Sequence, residues 1–392
     1  MKRAMVFTIP ERGHYHPLLG PALELERRGF EVVWGTPADI RSELRAAGVK
    51  QVALPPDAPP PDAALRGKAL TELLTDPAAL AGWIRAMLID AQAELVEPFR
   101  EMIRRVKPGV VAIDSMVYAA AIAAEREGVP WVGWSTSLNP VVPDTTRSTL
   151  IETLEALDPM RHALFERHGL EARFRVSDVL SPHGTAVFTT SAVASAPADP
   201  TIRLVGPSRG GDRTGVRPEI PDRGSRRLAY ASFGSQAWYQ PERFERIIAA
   251  ATRRGLAMIA SMGDLDAEFR ARGLPPTIRC EADVDQLAVL EQADVIVTHG
   301  GANSVMESLA AGVPLLLAPI CNDQPHNLAM VEHCGAGQGI DLETASVELI
   351  GEALARLAGP GPHRDASQRI ADSYRAQDGS RGAADLAEEA MR

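Results

Sequence analysis

The chain is poor in cysteine, and this limits the kinds of protein that it can be. Its three cysteines, Cys280, Cys321 and Cys334, are too few and too irregularly spaced for a disulfide framework or a Cys-x-x-Cys metal site. No run of about eighteen apolar residues occurs, so no membrane-spanning helix is predicted. The apolar stretch at the amino terminus breaks at Pro10, too early for a secretory signal. We therefore expect a cytoplasmic protein.

An excess of basic residues is also missing. The 41 Lys and Arg residues face 51 Asp and Glu residues, which gives a net charge of -10 and argues against nucleic acid or an anionic membrane as the main partner. The first predicted strand is not followed by a Gly-x-Gly-x-x-Gly turn, which disfavours a dehydrogenase. At 392 residues the chain exceeds the size at which one hydrophobic core keeps growing, so two domains are expected.

Both halves of the sequence alternate short apolar runs with helical patterns, which is typical of parallel βαβ units. Between them, a stretch rich in Gly, Pro, Arg and Asp has almost no apolar periodicity and is typical of a linker. We predict an α/β protein with a domain at 1–207, a linker at 208–227, a second domain at 228–363 and a final helix at 364–392. A proline-rich loop is predicted at 54–65.

The first helix is predicted within 17–28, after a Gly-His-Tyr-His-Pro turn. Pro21 is unusual there, because proline in a helix interior costs about 3 kcal/mol. We therefore expect this helix to begin late or to kink.

The segment 295–340 contains a candidate anion site. A buried strand ends at His299, Gly300 and Gly301 permit a tight turn, and Asn303 or Ser304 can cap the helix that follows. In open parallel sheets, ligands bind beyond the carboxyl ends of strands, where the next helix offers unpaired N–H groups to a phosphate.

These residues resemble the donor signature of the inverting GT-B glycosyltransferases, of the plant UDP-glycosyltransferase and bacterial antibiotic glycosyltransferase type. The resemblance implies two Rossmann-like domains whose parallel sheets face each other across a cleft, with the final helix crossing back onto the first domain. It also implies donor-binding residues that contact the diphosphate (His299, Gly301, Asn303 and Ser304), the ribose (Glu307) and the sugar hydroxyls (Asp323 and Gln324).

A second match, Tyr-Ala-Ser-Phe-Gly-Ser-Gln at 230–236, is similar to the first strand and turn of the family's donor domain. It implies that Gly234 and Ser235 touch the diphosphate. The family's aromatic residue that stacks on the base is missing near Asp283. We therefore expect backbone groups near Val284 and Leu287 to hold uracil or thymine.

For the chemistry, the family places a histidine in a Gly-His-x-x-Pro turn after the first strand and an aspartate at the end of a later strand. Here His14 and Asp114 stand at those positions. A general base on the acceptor hydroxyl, with a carboxylate that fixes its tautomer, suits glycosyl transfer. The structural alternatives are a turn histidine and a helix-capping aspartate. His14 and His16 also suggest a metal site, but no cysteine or carboxylate is spaced to complete it.

The acceptor is expected to be a flat, hydrophobic natural product such as a polyketide, a macrolide or an aromatic aglycone. Apolar residues of the first domain are candidates to line its site, although such residues more often belong to an ordinary core: Trp83, Met87, Met116 and Trp134.

The sequence therefore predicts a metal-independent hexosyltransferase that uses a UDP- or TDP-sugar as co-substrate and needs no cofactor, with a homodimer left open. Two alternatives stay open: a hydrolysing nucleotide-sugar epimerase on the same fold, and a catalytically silent relative that binds or supports another transferase.

Overall fold

The computed structural model describes residues 2–60, 65–210, 217–221 and 224–392. The chain divides into two compact units. Unit 1 comprises residues 1–64, 76–212 and 377–392, and unit 2 comprises 65–75 and 213–376. Parts of the predicted proline-rich loop and of the predicted linker lie outside the described residues.

Unit 1 is built on a parallel sheet that, within the described residues, has seven strands in the order β3-β2-β1-β4-β5-β8-β9. The apolar runs read from the sequence form its central strands, which are almost wholly buried. A two-stranded sheet of β6 and β7 lies apart from it. The strands are β1 (Lys2–Phe7), β2 (Phe30–Gly35), β3 (Val52–Ala53), β4 (Val110–Asp114), β5 (Trp131–Ser135), β6 (Phe174–Arg175), β7 (Asp178–Val179), β8 (Thr185–Val187) and β9 (Ile202–Leu204).

Helices connect these strands, as the βαβ pattern predicted. Between α4 and α5 the chain forms a π-helical segment, Ala86–Asp90, a geometry that is rare outside single-turn bulges. The helices encoded by this half are α1 (Arg12–Arg27), α2 (Arg41–Ala46), α3 (Lys68–Leu73), α4 (Pro77–Arg85), α5 (Ala91–Val106), α6 (Tyr118–Arg126) and α7 (Thr149–Glu166).

Unit 2 has a parallel sheet that, in the described part of the chain, has six strands in the order β12-β11-β10-β13-β14-β15. Its strands are β10 (Leu228–Ser232), β11 (Ala257–Ser261), β12 (Ile278–Glu281), β13 (Val295–Thr298), β14 (Leu315–Leu317) and β15 (Gly337–Gly339). Its helices are α8 (Pro241–Arg253), α9 (Asp266–Ala271), α10 (Gln286–Leu290), α11 (Ala302–Ala311), α12 (Gln324–His333), α13 (Val347–Ala358) and α14 (Pro362–Arg375).

The strand order of each sheet reverses at one point, called the switch point below. In unit 1 the strand order reverses between β1 and β4, and in unit 2 between β10 and β13. Two crossover connections diverge there and leave a crevice beyond the carboxyl ends of the strands, which is where open α/β sheets bind ligands.

The prediction of a late or kinked first helix was wrong in its start. Helix α1 begins at Arg12 and continues through Pro17 and Pro21. Pro21 has no N–H for the carbonyl of Pro17, but the Ser208 hydroxyl donates to that carbonyl at 2.5 Å. A residue far along the chain thus satisfies the group that the proline leaves unpaired. His14 consequently lies in the first helical turn and not in a preceding loop.

The single final helix predicted at 364–392 is two helices. Helix α14 belongs to unit 2, and the chain returns to unit 1 at residue 377. Asp378 caps the next helix, α15 (Gly379–Glu389), by accepting from the N–H of Arg381, which starts a new helix after a break. Gly379 lies so close to the carbonyl of Gly206 that a Cβ would overlap it.

No helix in the described part of the chain is long and apolar enough to cross a membrane.

Candidate active site

The structure brings His14 and Asp114 together. Asp114 ends β4, and His14 lies in the first turn of α1, which follows β1, so both are at the switch point of the unit 1 sheet. His14 Nδ1 lies 2.7 Å from Asp114 Oδ2. Because a carboxylate only accepts hydrogen bonds, Nδ1 carries the proton and Nε2 is left to accept one. The Asp114 side chain is 1% exposed and that of His14 is 23% exposed, so only the imidazole is accessible.

Thr136, which sequence analysis missed, contacts both members of this pair. Its hydroxyl lies 3.0 Å from His14 Nδ1 and donates to Asp114 Oδ1 at 3.3 Å. Thr136 follows β5, the strand that pairs with β4, so the sheet places it beside Asp114. A threonine directly after a strand carries no sequence signal of such a role.

The charges around His14 favour its protonated form. Burial by itself lowers the pKa of His14, but the charge and hydrogen bond of Asp114, together with the charges of Glu11 and Asp178, more than offset this effect and raise the pKa. His14 is therefore a stronger base than an isolated imidazole.

Asp178 is a second buried carboxylate in this unit, and sequence analysis missed it as well. It accepts hydrogen bonds from Ser135 Oγ at 2.6 Å, Ser177 Oγ at 3.1 Å and Ser137 Oγ at 3.2 Å. Burial and the charge of Asp114 raise the pKa of Asp178 to about 6, although the serine hydroxyls oppose the rise. The two carboxylates therefore interact electrostatically in the folded protein.

In unit 2 the predicted anion site lies at the amino end of α11. Gly301 precedes this helix and provides no side-chain cap, and the first intrahelical bond is donated by Val305. The first turn of α11, Ala302 to Ser304, therefore presents its backbone N–H groups at this end of the helix. Helix α11 has ten residues, and the positive end of its dipole lies at this amino terminus.

His299 lies against the glycines on either side of the switch point. A Cβ on Gly301 would come 2.7 Å from its Nε2, and one on Gly234 would come 2.8 Å from its Cε1. Gly234 also has φ +75°, a conformation that favours glycine. Burial lowers the pKa of His299 to about 4, with a small opposing effect from its hydrogen bond to the backbone of Ser232. The ring is neutral at neutral pH.

Glu307 lies one turn further along α11 and is held by Gln286, which sequence analysis did not single out. Gln286 Nε2 donates to Glu307 Oε2 at 2.7 Å and lies 3.5 Å from Ser304 Oγ. The Tyr230 hydroxyl in turn donates to Gln286 Oε1 at 3.2 Å. Glu307 and Ser304 therefore share one side-chain partner on the neighbouring helix α10.

The Asp323-Gln324 pair is placed less simply than the family resemblance implies. The side-chain carbonyl of Gln324 accepts from the N–H groups of Ile320 at 2.7 Å and Cys321 at 2.9 Å, so it supports the loop before α12. Asp323 Oδ2 accepts from Asn327 Nδ2 at 3.0 Å, and Asn327 also donates to the carbonyl of Gly300 at 2.8 Å. Asp323 is thus connected to the glycine turn through Asn327. Gln324 stabilises the loop before α12, a structural function that the resemblance does not imply.

Of the other predicted donor residues, Ser235 is exposed in the turn after β10, and Val284 is buried before α10. Trp238 follows Ser235 by three residues. Its indole lies so close to Gly67 and Gly263 that a Cβ on either would overlap the ring. Trp238 therefore anchors residues 65–75 to unit 2.

The predicted acceptor residues divide into two groups. Trp83, Met87 and Met116 are partly buried and pack against the hydrophobic core of unit 1, with one side of each still accessible. Trp134 is completely buried, and its indole N–H donates to the Ala383 carbonyl of α15 at 3.1 Å. Its position is explained by packing of the crossing helix, so we leave it out of the acceptor proposal.

Among the described residues, no group of three or more His, Cys, Asp or Glu side chains could hold a metal ion. His16 lies in α1, where its ring stands edge-on to that of Tyr15 at 4.8 Å.

Comparison with known proteins adds independent findings. Residues 248–386 match the family model described as erythromycin biosynthesis protein CIII-like, C-terminal domain. The oleandomycin glycosyltransferase of Streptomyces antibioticus is 27% identical over 402 aligned residues, which cover 98% of this chain and 89% of the relative. The crystal structure of the glycosyltransferase of kitacinnamycin superposes with a TM-score of 0.78 at 25% identity and covers 100% of this chain and 99% of its own. The structure of a spinosyn rhamnosyltransferase complexed with thymidine diphosphate has a TM-score of 0.72 at 18% identity. The match covers 97% of this chain and 98% of the rhamnosyltransferase chain.

The fold and these similarities define a glycosyltransferase with the GT-B fold, with a parallel sheet in each of two domains. Its C-terminal part matches the erythromycin CIII-like domain, and its homologues are antibiotic glycosyltransferases, which confirms the resemblance seen in the sequence.

Proposed function

We propose that the protein is an inverting glycosyltransferase that moves a sugar from a UDP- or TDP-sugar to a hydroxyl of a hydrophobic natural product, with His14 as the general base. The observation that carries this proposal is the 2.7 Å contact between His14 Nδ1 and Asp114 Oδ2, which leaves Nε2 as an accessible acceptor. The sugar-transferring relatives support the reaction type.

In the reaction, Nε2 of His14 accepts the proton of the acceptor hydroxyl while the oxygen attacks the anomeric carbon. Asp114 holds the Nδ1–H tautomer and stabilises the imidazolium that forms. The bond from the anomeric carbon to the diphosphate breaks on the opposite face, so the configuration inverts. A positioned base of this kind contributes about 10²- to 10⁴-fold.

The departing nucleoside diphosphate carries the developing charge. We assign it to the backbone and the positive dipole end at the start of α11, with His299 and the backbone at Gly234 and Gly301 beside them. Preorganised dipoles of this kind can stabilise a leaving diphosphate without a divalent cation. Glu307 is assigned to the ribose hydroxyls, and Asp323 is the better placed of the loop pair to reach the sugar.

Trp83, Met87 and Met116 are proposed to contact the acceptor, because they are the predicted apolar residues that keep an accessible side. The names of the relatives, among them one named for oleandomycin, support a natural-product acceptor. The cytoplasmic location expected from the sequence stays a proposal.

Turnover of a panel of UDP- and TDP-sugars with mixed aglycones, read by mass spectrometry, tests the reaction. We expect a glycosylated aglycone of inverted anomeric configuration and free nucleoside diphosphate. An altered sugar released without any acceptor would instead identify the epimerase, and nucleotide binding without turnover would identify a silent relative.

Variants at the dyad test the base. His14→Ala should lower kcat by about 10²- to 10⁴-fold and leave donor affinity nearly intact, because the donor residues belong to the other unit. Asp114→Asn should also slow turnover by favouring the wrong tautomer. Because the pKa of His14 is raised, the acid limb of kcat/KM should lie above pH 6.5, and the His14→Ala variant should lose it. Near-normal turnover of His14→Ala would overturn the assignment, and His16 would be the next base to test.

A further inference from the structure

Thr136 occupies a position that neither the family resemblance nor the proposed reaction uses. It is 5% exposed, and its hydroxyl lies within hydrogen-bond distance of both His14 Nδ1 and Asp114 Oδ1. A hydroxyl has one proton to donate and two lone pairs that accept. It can donate to the carboxylate and at the same time accept a share of the Nδ1–H bond, so it connects the two groups a second time.

The residues on either side of Thr136 are fixed by one buried carboxylate. Ser135 Oγ donates to Asp178 Oδ2 at 2.6 Å, and Ser137 Oγ donates to Asp178 Oδ1 at 3.2 Å. Asp178 is 1% exposed, which excludes water as a competing partner. A turn whose two flanking hydroxyls are held in this way has little freedom to rotate the Thr136 side chain away from the dyad.

We propose that Thr136 is a positioning residue that fixes the tautomer and the orientation of the His14 imidazole, and that Asp178, through Ser135 and Ser137, holds Thr136 in place. The proposal rests on the proposed function, since it needs His14 to act as the base. Thr136 touches neither reactant in this scheme. It acts through His14 and Asp114, and its hydroxyl completes a network that runs from the dyad to a carboxylate on β7.

Thr136→Val tests the first part, because it removes the hydroxyl and keeps the shape. We expect kcat to fall by about 10- to 100-fold, the range for a lost hydrogen bond to a charged group, with unchanged donor Kd. Thr136→Ser, which keeps the hydroxyl, should restore most of the rate. Thr36→Val is the matched control, because Thr36 Oγ1 is buried in the same unit without a hydrogen-bond partner among the described residues.

The pH profile separates positioning from general damage. The charged groups that act on His14 are Asp114, Glu11 and Asp178. When the Thr136 hydroxyl is removed, the imidazolium loses an acceptor, so the acid limb of kcat/KM should move to lower pH in Thr136→Val and stay in place in Thr136→Ser. A merely destabilised enzyme would lose active molecules without moving this limb.

Asp178→Asn tests the remote part through a double-mutant cycle. If Asp178 acts through Thr136, the effects of Asp178→Asn and Thr136→Val on kcat should fall well short of additive. Additive effects, or no effect of Asp178→Asn on kcat, would overturn that part. Wild-type kcat and an unmoved acid limb in Thr136→Val, or weaker donor binding with normal kcat, would overturn the first part. These results would count against the positioning role alone if His14→Ala is inactive, whereas an active His14→Ala would overturn the proposed base itself.

Discussion

The neutral state of His299 makes a quantitative prediction about donor binding. In the free protein, burial holds the pKa of His299 near 4, so the ring is uncharged at pH 7 and still about nine-tenths uncharged at pH 5. A neutral imidazole has a single N–H. The backbone of Ser232 accepts from this N–H, and the Thr298 hydroxyl lies 3.3 Å from Nδ1, so the ring must gain a proton to donate to a phosphate as well.

Binding of the diphosphate should therefore take up a proton. If the two negative charges cancel the effect of burial and return the pKa of His299 to about 6.5, linkage predicts that donor affinity rises about 20-fold between pH 7 and pH 5. This corresponds to about 1.8 kcal/mol. The sign follows from the pKa being lower in the free protein than in the complex, so that protonation favours the complex.

Calorimetry with an intact nucleotide sugar measures this effect, because a diphosphate substituted at both ends does not titrate in this range. Repeating the titration in buffers of different ionisation enthalpy counts the protons taken up. His299→Gln is the control, since its amide can donate without titrating and shares every other pH-dependent charge. An equal pH dependence in wild type and His299→Gln would refute the reasoning.

Further predictions concern stability, metals and the nucleobase of the donor. Ser208→Ala should destabilise the fold by about 1 kcal/mol in thermal unfolding, because the Pro17 carbonyl loses its donor, and the loss should vanish in a Pro21→Ala background, where a backbone N–H returns. If the loss persists in that background, the hydroxyl has another role. Transfer activity should survive exhaustive chelation if the α11 dipole and His299 stabilise the leaving group as proposed. A loss with EDTA that a divalent ion restores would favour the His14-His16 metal site. If backbone groups near Val284 and Leu287 hold the nucleobase as expected, UDP- and TDP-sugars should differ in Kd by less than about a hundredfold, or 2.7 kcal/mol, and a larger preference would show a specific contact.

A local signal predicted His299 and the glycines beside it, because a strand followed by a glycine turn leaves few places for the next side chain. His14 and Asp114 were predicted from their resemblance to the family's Gly-His-x-x-Pro turn and strand-end aspartate. The parallel sheets then bring their ends together, which is why a histidine and an aspartate 100 residues apart meet at 2.7 Å.

What the sequence could not reveal depends on contacts between distant segments. The sequence gives no sign of a special role for Gln286, Thr136 or Asp178. Each acquires a charged neighbour only in the folded chain: Glu307 for Gln286, and Asp114 for Thr136 and Asp178. The start of α1 was misjudged for the same reason, since Pro21 is a helix breaker until Ser208, 191 residues away, satisfies the carbonyl beneath it. The break before α15 depends on Asp378 and on the close approach of Gly379 to Gly206.

The return of the chain to unit 1 at residue 377 determines how this enzyme can be recombined with its relatives. Unit 1 contains both the beginning and the end of the described chain, so unit 2, which holds the proposed donor residues, is an insertion within it and not a C-terminal module. A chimera made with one crossover near residue 227 would pair α15 of one parent with α1 and Trp134 of another, although Trp134 donates directly to the Ala383 carbonyl. If unit 2 binds the donor as proposed, exchanging donor specificity cleanly requires a second crossover near 377, and residues 65–75, which Trp238 anchors, should be exchanged together with unit 2.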